Sequence, residues 1–134
     1  MKKMMNDEGG TMNGRRKPQQ DLKERLKTYS LRVIRMYCSL PKARVAQVLG
    51  GQALRSGTSV GAQYREASRA RSKAEFISKM ESSLQELDET AYWLELLVGS
   101  GTVAQVRMHE LLEETNELIA IFTASVKTAK QRKP

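Results

Sequence analysis

The chain has 134 residues, 23 Lys and Arg against 15 Asp and Glu, and a net charge of +8; that length fits one domain with a small core. A single cysteine, Cys38, excludes an intrachain disulfide and a cysteine-built metal cluster, and fits a reducing compartment. No apolar run approaches the roughly 18 residues of a membrane span, and the N-terminus lacks the apolar stretch of a signal peptide, so a cytoplasmic protein with no membrane partner is expected.

Residues 1–19 have no hydrophobic period and are rich in Gly, Asn, Met and Lys. They are expected to form a disordered tail, with Arg15, Arg16 and Lys17 as a short basic run. A first helix is predicted over 21–40. Leu22, Leu26, Tyr29, Val33, Met36 and Leu40 recur at alternating steps of four and three, which holds them on one stripe. Ile34 and Tyr37 widen that stripe, and Cys38 is expected to be partly buried near the helix end. Lys23, Arg25, Lys27, Arg32 and Arg35 fall mostly off the stripe. Pro41 ends the helix because it has no N–H to continue the ladder.

A second helix is predicted over 42–70, with Val45, Val48, Leu49, Ala53, Val60, Tyr64 and Ala67 broadly on one side. Gly50-Gly51 predicts a kink or a later start. Gly57 and Gly61 stand four apart. Each interior glycine costs roughly 0.5–1 kcal/mol relative to Ala, so this spacing predicts close approach of a neighbouring helix. The run GTSVG lacks the GxxxxGK[ST] pattern and follows no strand, so it is not a phosphate loop.

Residues 69–73 link the second helix to the third. Ser72 is expected to cap the third helix, with Glu75 at capping-box spacing. That helix is predicted over 73–98. Ile77, Met80, Leu84, Leu87, Ala91, Leu94 and Val98 form a coiled-coil-like seam, broadened by Phe76, Trp93 and Leu97. Gly99-Ser100-Gly101 supplies the stop. A fourth helix is predicted over 102–127, with Ala104, Met108, Leu111, Thr115, Leu118, Phe122 and Ser125 on one stripe and Leu112, Ile119 and Val126 beside it. The fold class is therefore all-α: an antiparallel up-down-up-down four-helix bundle over 20–128, between tails at 1–19 and 129–134.

Charge is unevenly placed. Residues 21–73 hold twelve basic and three acidic side chains, whereas residues 74–126 hold two and ten. Such polarity attracts an anionic partner to one face, or pairs the two halves within or between subunits. Arg65, Arg69, Arg71 and Lys73 concentrate positive charge at the turn between the second and third helices, with Arg55 upstream. No catalytic constellation is legible. His109, beside Glu110, is the only histidine and lacks the partners of a metal site or a triad. Glu86, Asp88, Glu89, Glu113, Glu114 and Glu117 lack the Glu-x-x-His pairs of di-metal bundles, and read as a solvated or salt-bridged face. A non-enzymatic protein without cofactor or metal is expected.

The segments LRVIRMYCSLPKARV, LRSGTSVGAQYREASRARSKAEFISKM and LQELDETAYWLELL resemble the bacterial four-helix bundle proteins of the 23S ribosomal RNA intervening-sequence family. The accessory variability determinant of diversity-generating retroelements looks like a relative in the same superfamily. The resemblance spans about residues 21–130; RSGTSVGAQYREA and YWLELL are its specific parts. Many relatives carry Asn where this chain has Gln63. The resemblance implies a homopentameric ring with a basic surface for nucleic acid. In the retroelement relatives it implies a reverse transcriptase and template RNA as partners. The expected function is thus a homo-oligomeric bundle binding RNA or DNA through phosphates at Arg55, Arg65, Arg69, Arg71 and Lys73. The alternative is a protein-interaction scaffold without nucleic acid.

Overall fold

The hydrophobic spacings resolve into four helices in the computed structural model, which describes residues 18–132. They are α1 (Pro18–Cys38), α2 (Arg44–Ser68), α3 (Lys73–Gly99) and α4 (Gln105–Gln131). Among the described residues there is no strand. Of the expected N-terminal tail, residues 1–17 lie outside the described residues, as do the last two residues of the chain. Helix α1 starts at Pro18, three residues earlier than the spacing indicates. Proline suits a first helical turn, where its missing N–H has no intrahelical partner to lose. Helix α4 likewise runs on to Gln131, into the expected C-terminal tail.

Each helix packs on its neighbour in the chain, most extensively α2 on α3. Backbones of α1 and α4 approach each other far less, and the diagonal pairs do not approach closely. That cyclic order with short turns is the up-down-up-down antiparallel arrangement. The core is built from Leu26, Tyr29 and Val33, Ala53, Val60 and Tyr64, Met80, Leu87 and Leu94, and Met108, Leu118 and Phe122. Tyr64 crosses the core to meet Phe122 edge-on, with ring centroids 5.9 Å apart. Trp93 packs half-buried against the same cluster.

The inner face of α2 differs from the expected one. Val45 and Val48 are 56% and 52% exposed, and Ile34 of α1 is also exposed. Ala53, Val60, Tyr64 and Ala67 are buried as expected, and Ala46, Gly50 and Gly57 take the place of the valines. Helix α1 approaches this face closely. A Cβ on Gly57 would lie 3.0 Å from both methyl carbons of Val33, and one on Gly61 would lie 3.6 Å from Leu26 Cβ. Glycines line the side of α2 that meets α1, and Val45 and Val48 lie on the outer side. Helix α2 runs through Gly50-Gly51 without a break. Cys38 is exposed rather than partly buried.

Turns obey local chemistry. Ser72 caps α3 by accepting from the Glu75 N–H at 3.0 Å. The return bond goes one residue further back: the Arg71 N–H donates to Glu75 Oε1 at 3.1 Å. Gln47 staples the first turn, donating to the Pro41 carbonyl and accepting from the Tyr37 hydroxyl, both at 3.0 Å. After α3, Gly101 takes φ 79°, the left-handed conformation that glycine adopts without strain. The N–H groups of Thr102 and Val103 then both donate to the Leu97 carbonyl at 3.1 Å. This wrap delays α4 to Gln105, past the expected start.

Two buried hydroxyl pairs tie the helices. Ser56 and Thr90 are 2.7 Å apart between α2 and α3. Between α1 and α4, Tyr29 and Thr115 are also 2.7 Å apart. Thr115 donates its proton to the Leu111 carbonyl at 2.8 Å, so Tyr29 is the donor in that pair. Burial pushes the Tyr29 hydroxyl up to about 12 from 10.0.

This packing makes stability testable at two seams. Val33 is β-branched and stiff in its helix, so it cannot yield to a new methyl group. Gly57→Ala should therefore destabilise by about 1–2 kcal/mol despite better helix propensity. Gly51→Ala, with no atom within 4 Å of its new Cβ, should stabilise by about 0.5–1 kcal/mol. Urea melts of both variants check the pair. Tyr29→Phe should cost about 1 kcal/mol at neutral pH. A folded-state pKa raised above the unfolded one gives stability that is full below pH 10 and lost toward about 12. Melts across that window should show a shallower alkaline loss for Tyr29→Phe, with a residue from Tyr64, whose hydroxyl burial also raises.

Candidate nucleic-acid interface

The five basic residues singled out in the sequence do not form one patch. Arg55 points at α3, where Glu89 lies 3.2 Å and Glu86 3.6 Å from its guanidinium. The nearer contact is a hydrogen bond; the longer one is an ion pair only. Lys73 donates its ammonium to the backbone carbonyl of Arg132 at the end of α4. Arg65, Arg69 and Arg71 are exposed and form no ion pair among the described residues. They succeed one another along the last turn of α2 and the link to α3.

The antiparallel register brings two further cations to this end. Gly57 faces Val33 and Gly61 faces Leu26, so the next turn sets Arg65 beside the start of α1. There Lys23, Lys27 and Arg65 line one groove of about 250 Å³, floored by Ser30, Gly61 and Ala62. No carboxylate lines it, and none of the three cations has an ion-pair partner among the described residues. Three like charges on one groove repel one another, and an anion placed between them relieves that repulsion. Lys23 and Lys27 are the residues that reading the sequence missed. The sequence shows them only as two cations four apart and off the apolar stripe of α1; the packing of Gly61 on Leu26 sets them opposite Arg65.

Five of the ten acidic side chains of residues 74–126, Glu81, Glu86, Glu89, Glu114 and Glu117, pair with Lys or Arg of the same chain. Glu114 grips Arg25 with two hydrogen bonds, of 2.8 and 2.7 Å, and Glu117 adds a third at 2.9 Å. The bond to Glu114 is the main reason the Arg25 guanidinium is held above its usual pKa. Lys79 pairs with Glu66 at 2.7 Å and is raised chiefly by that bond. Lys130 pairs with Glu81 at 2.8 Å. His109 is exposed, with its Nε2 3.3 Å from Glu113 rather than engaged by Glu110. Among the described residues no group of three His, Cys, Asp or Glu side chains is placed to hold a metal ion. Among them, too, no helix is long and apolar enough to cross a membrane.

Residues 19–124 match the family described as 23S rRNA-intervening sequence protein. The chain is also similar to a crystal structure of a protein from Bacteroides thetaiotaomicron VPI-5482, described as a protein with unknown function from the S23 ribosomal protein family. The two are 32% identical, with a TM-score of 0.76 over 81% of this chain and 97% of that one. No curated protein matches this chain.

The division between held and free cations is testable with a generic polyanion. Arg55→Ala should leave retention on a heparin column unchanged, because two α3 carboxylates already occupy that guanidinium. Arg65→Ala should elute at lower salt. Equal losses from both variants would mean that net charge alone matters.

Proposed function

The chain belongs to the 23S rRNA-intervening sequence protein family, and from that membership we propose that it is a non-enzymatic, homo-oligomeric bundle that binds structured RNA through its phosphates. One observation carries the reading: Lys23, Lys27 and Arg65 converge on a groove without a carboxylate, and Arg69 and Arg71 extend the charge past it. Lys73 lies at the same end but is engaged by a backbone carbonyl, and Arg55 is engaged by α3. The binding surface is thus Arg65, Arg69 and Arg71 with the two lysines of α1. Nothing in this set reads base edges, so binding is electrostatic and weakly sequence-selective.

Exposed apolar pairs support self-association. Leu31 and Ile34 lie three apart on α1, and Val45 and Val48 three apart on α2. A homopentamer, as the family resemblance implies, would cover such residues and repeat the basic end around a ring. In the retroelement form of the reading, which rests on a superfamily resemblance alone, the ring serves a reverse transcriptase and its template RNA. The same exposed pairs, together with the ion pairs closed inside each chain, favour the scaffold alternative, in which protein contacts are the whole function.

Salt dependence separates the two. Each phosphate neutralised contributes about 0.7–0.9 to the slope of log K against log salt. Replacing Arg65, Arg69 and Arg71 together by Ala should reduce that slope by about 2 on a structured RNA. A slope equal to that of the unaltered protein would exclude this surface. An oligomer that ignores RNA at low salt would favour the scaffold.

A further inference from the structure

A second basic groove lies toward the opposite end of the bundle, where the C-terminal half of α1 meets the start of α4. We propose that it is a binding site for a nucleoside phosphate. Its volume is about 330 Å³, and Arg32 and Arg35 of α1 and Arg107 of α4 line it. Met36 and Leu111 provide apolar wall, and Glu110 stands among the lining residues. Arg32 is half-buried, yet neither it nor Arg35 or Arg107 forms an ion pair among the described residues, with Glu110 or any other carboxylate. Three like charges on one groove repel one another, and a bound anion relieves that repulsion.

The chemistry of the lining selects the ligand class. Guanidinium forks match the paired oxygens of a phosphate. Methionine and leucine walls suit the flat apolar face of a base. Glu110 repels an anion but accepts from sugar hydroxyls, so it orients the ligand with its phosphate toward the arginines. Small-molecule pockets run from roughly 300 to 1,000 Å³, so this one fits a mononucleotide and little more. The dipole at the start of α4 has the favourable sign but is not the basis of the site. Lys27 and Arg35 are eight residues apart on α1, about 12 Å along the helix axis, so this groove is separate from the Lys23, Lys27 and Arg65 surface. A free nucleotide and the terminal nucleotide of an RNA strand present the same chemistry. Occupancy of this groove does not depend on RNA binding at the other end.

The test uses the full chain labelled with ¹⁵N and titrated with adenosine 5′-monophosphate, adenosine and inorganic phosphate. The nucleotide should shift amides in α1 around Arg32 to Ser39 and in α4 around Arg107 to Leu111. It should bind at least about tenfold more tightly than adenosine or phosphate alone. Arg32→Gln and Arg107→Gln should each weaken it about tenfold, and Lys79→Gln, whose ammonium pairs with Glu66 away from both grooves, should not. Arg35→Gln, at an exposed position, serves as a further variant should Arg32→Gln fail to fold. A second arm compares one short RNA bearing a 5′-phosphate or a 5′-hydroxyl. Preference for the phosphorylated end supports an RNA terminus as occupant; indifference with retained mononucleotide binding supports a free nucleotide. The proposal is overturned if the nucleotide binds no better than phosphate, or if folded Arg32 and Arg107 variants bind it unchanged.

Discussion

The contact between Gly57 and Val33 governs how the polar residues of this bundle are placed. It draws α1 and α2 closer than side chains on both helices would allow. Close approach fixes the register, and register decides which polar residues meet. With Gly61 one turn further along opposite Leu26, the next α2 residue on that flank is Arg65, and the α1 residues beside it are Lys23 and Lys27. Val45 and Val48, nearer the start of α2, lie on its outer side. The opposite seam, α1 on α4, is looser and is closed by long side chains: Arg25 to Glu114 and Glu117, and Tyr29 to Thr115. One tight seam and one bridged seam leave a groove at each end of α1.

A net charge of +8 says little by itself about where an anion binds. What matters is which cations lack partners. Helix α3 contributes Glu86 and Glu89, which hold Arg55, and Glu81, which holds Lys130. Helix α4 contributes Glu114 and Glu117, which hold Arg25. The exposed pairs among them, such as Lys130 with Glu81, add little to stability. Together the pairs neutralise the flanks; among the cations left without a carboxylate, Lys23, Lys27 and Arg65 share one groove and Arg32, Arg35 and Arg107 another.

Architecture was legible in the sequence because helix periods, Pro41 and the Gly99-Ser100-Gly101 stop are local signals. Tyr29, Leu87, Leu118 and Phe122 are buried as their spacing indicates. The errors arose where tertiary contact overrides a period. Val45 and Val48 fit a stripe, but the side of α2 that meets α1 is the glycine face. The basic surface was legible only in part. Arg65, Arg69 and Arg71 are neighbours in sequence, so their clustering at one end of the bundle could be read directly. Lys23 and Lys27 join them from about forty residues away, through a register that hydrophobic spacing does not encode. Arg55 looked equivalent to the others because an ion pair across helices leaves no mark on one helix read alone.

If the α1–α2 register builds the RNA surface, the lysines of α1, rather than all surface lysines, must meet the RNA. Lysine acylation with and without a structured RNA, read by mass spectrometry on the full chain, tests this most directly. RNA should shield Lys23 and Lys27 while Lys42 and Lys79 react as before. Shielding of Lys42 and Lys79 with Lys23 and Lys27 left reactive would contradict it.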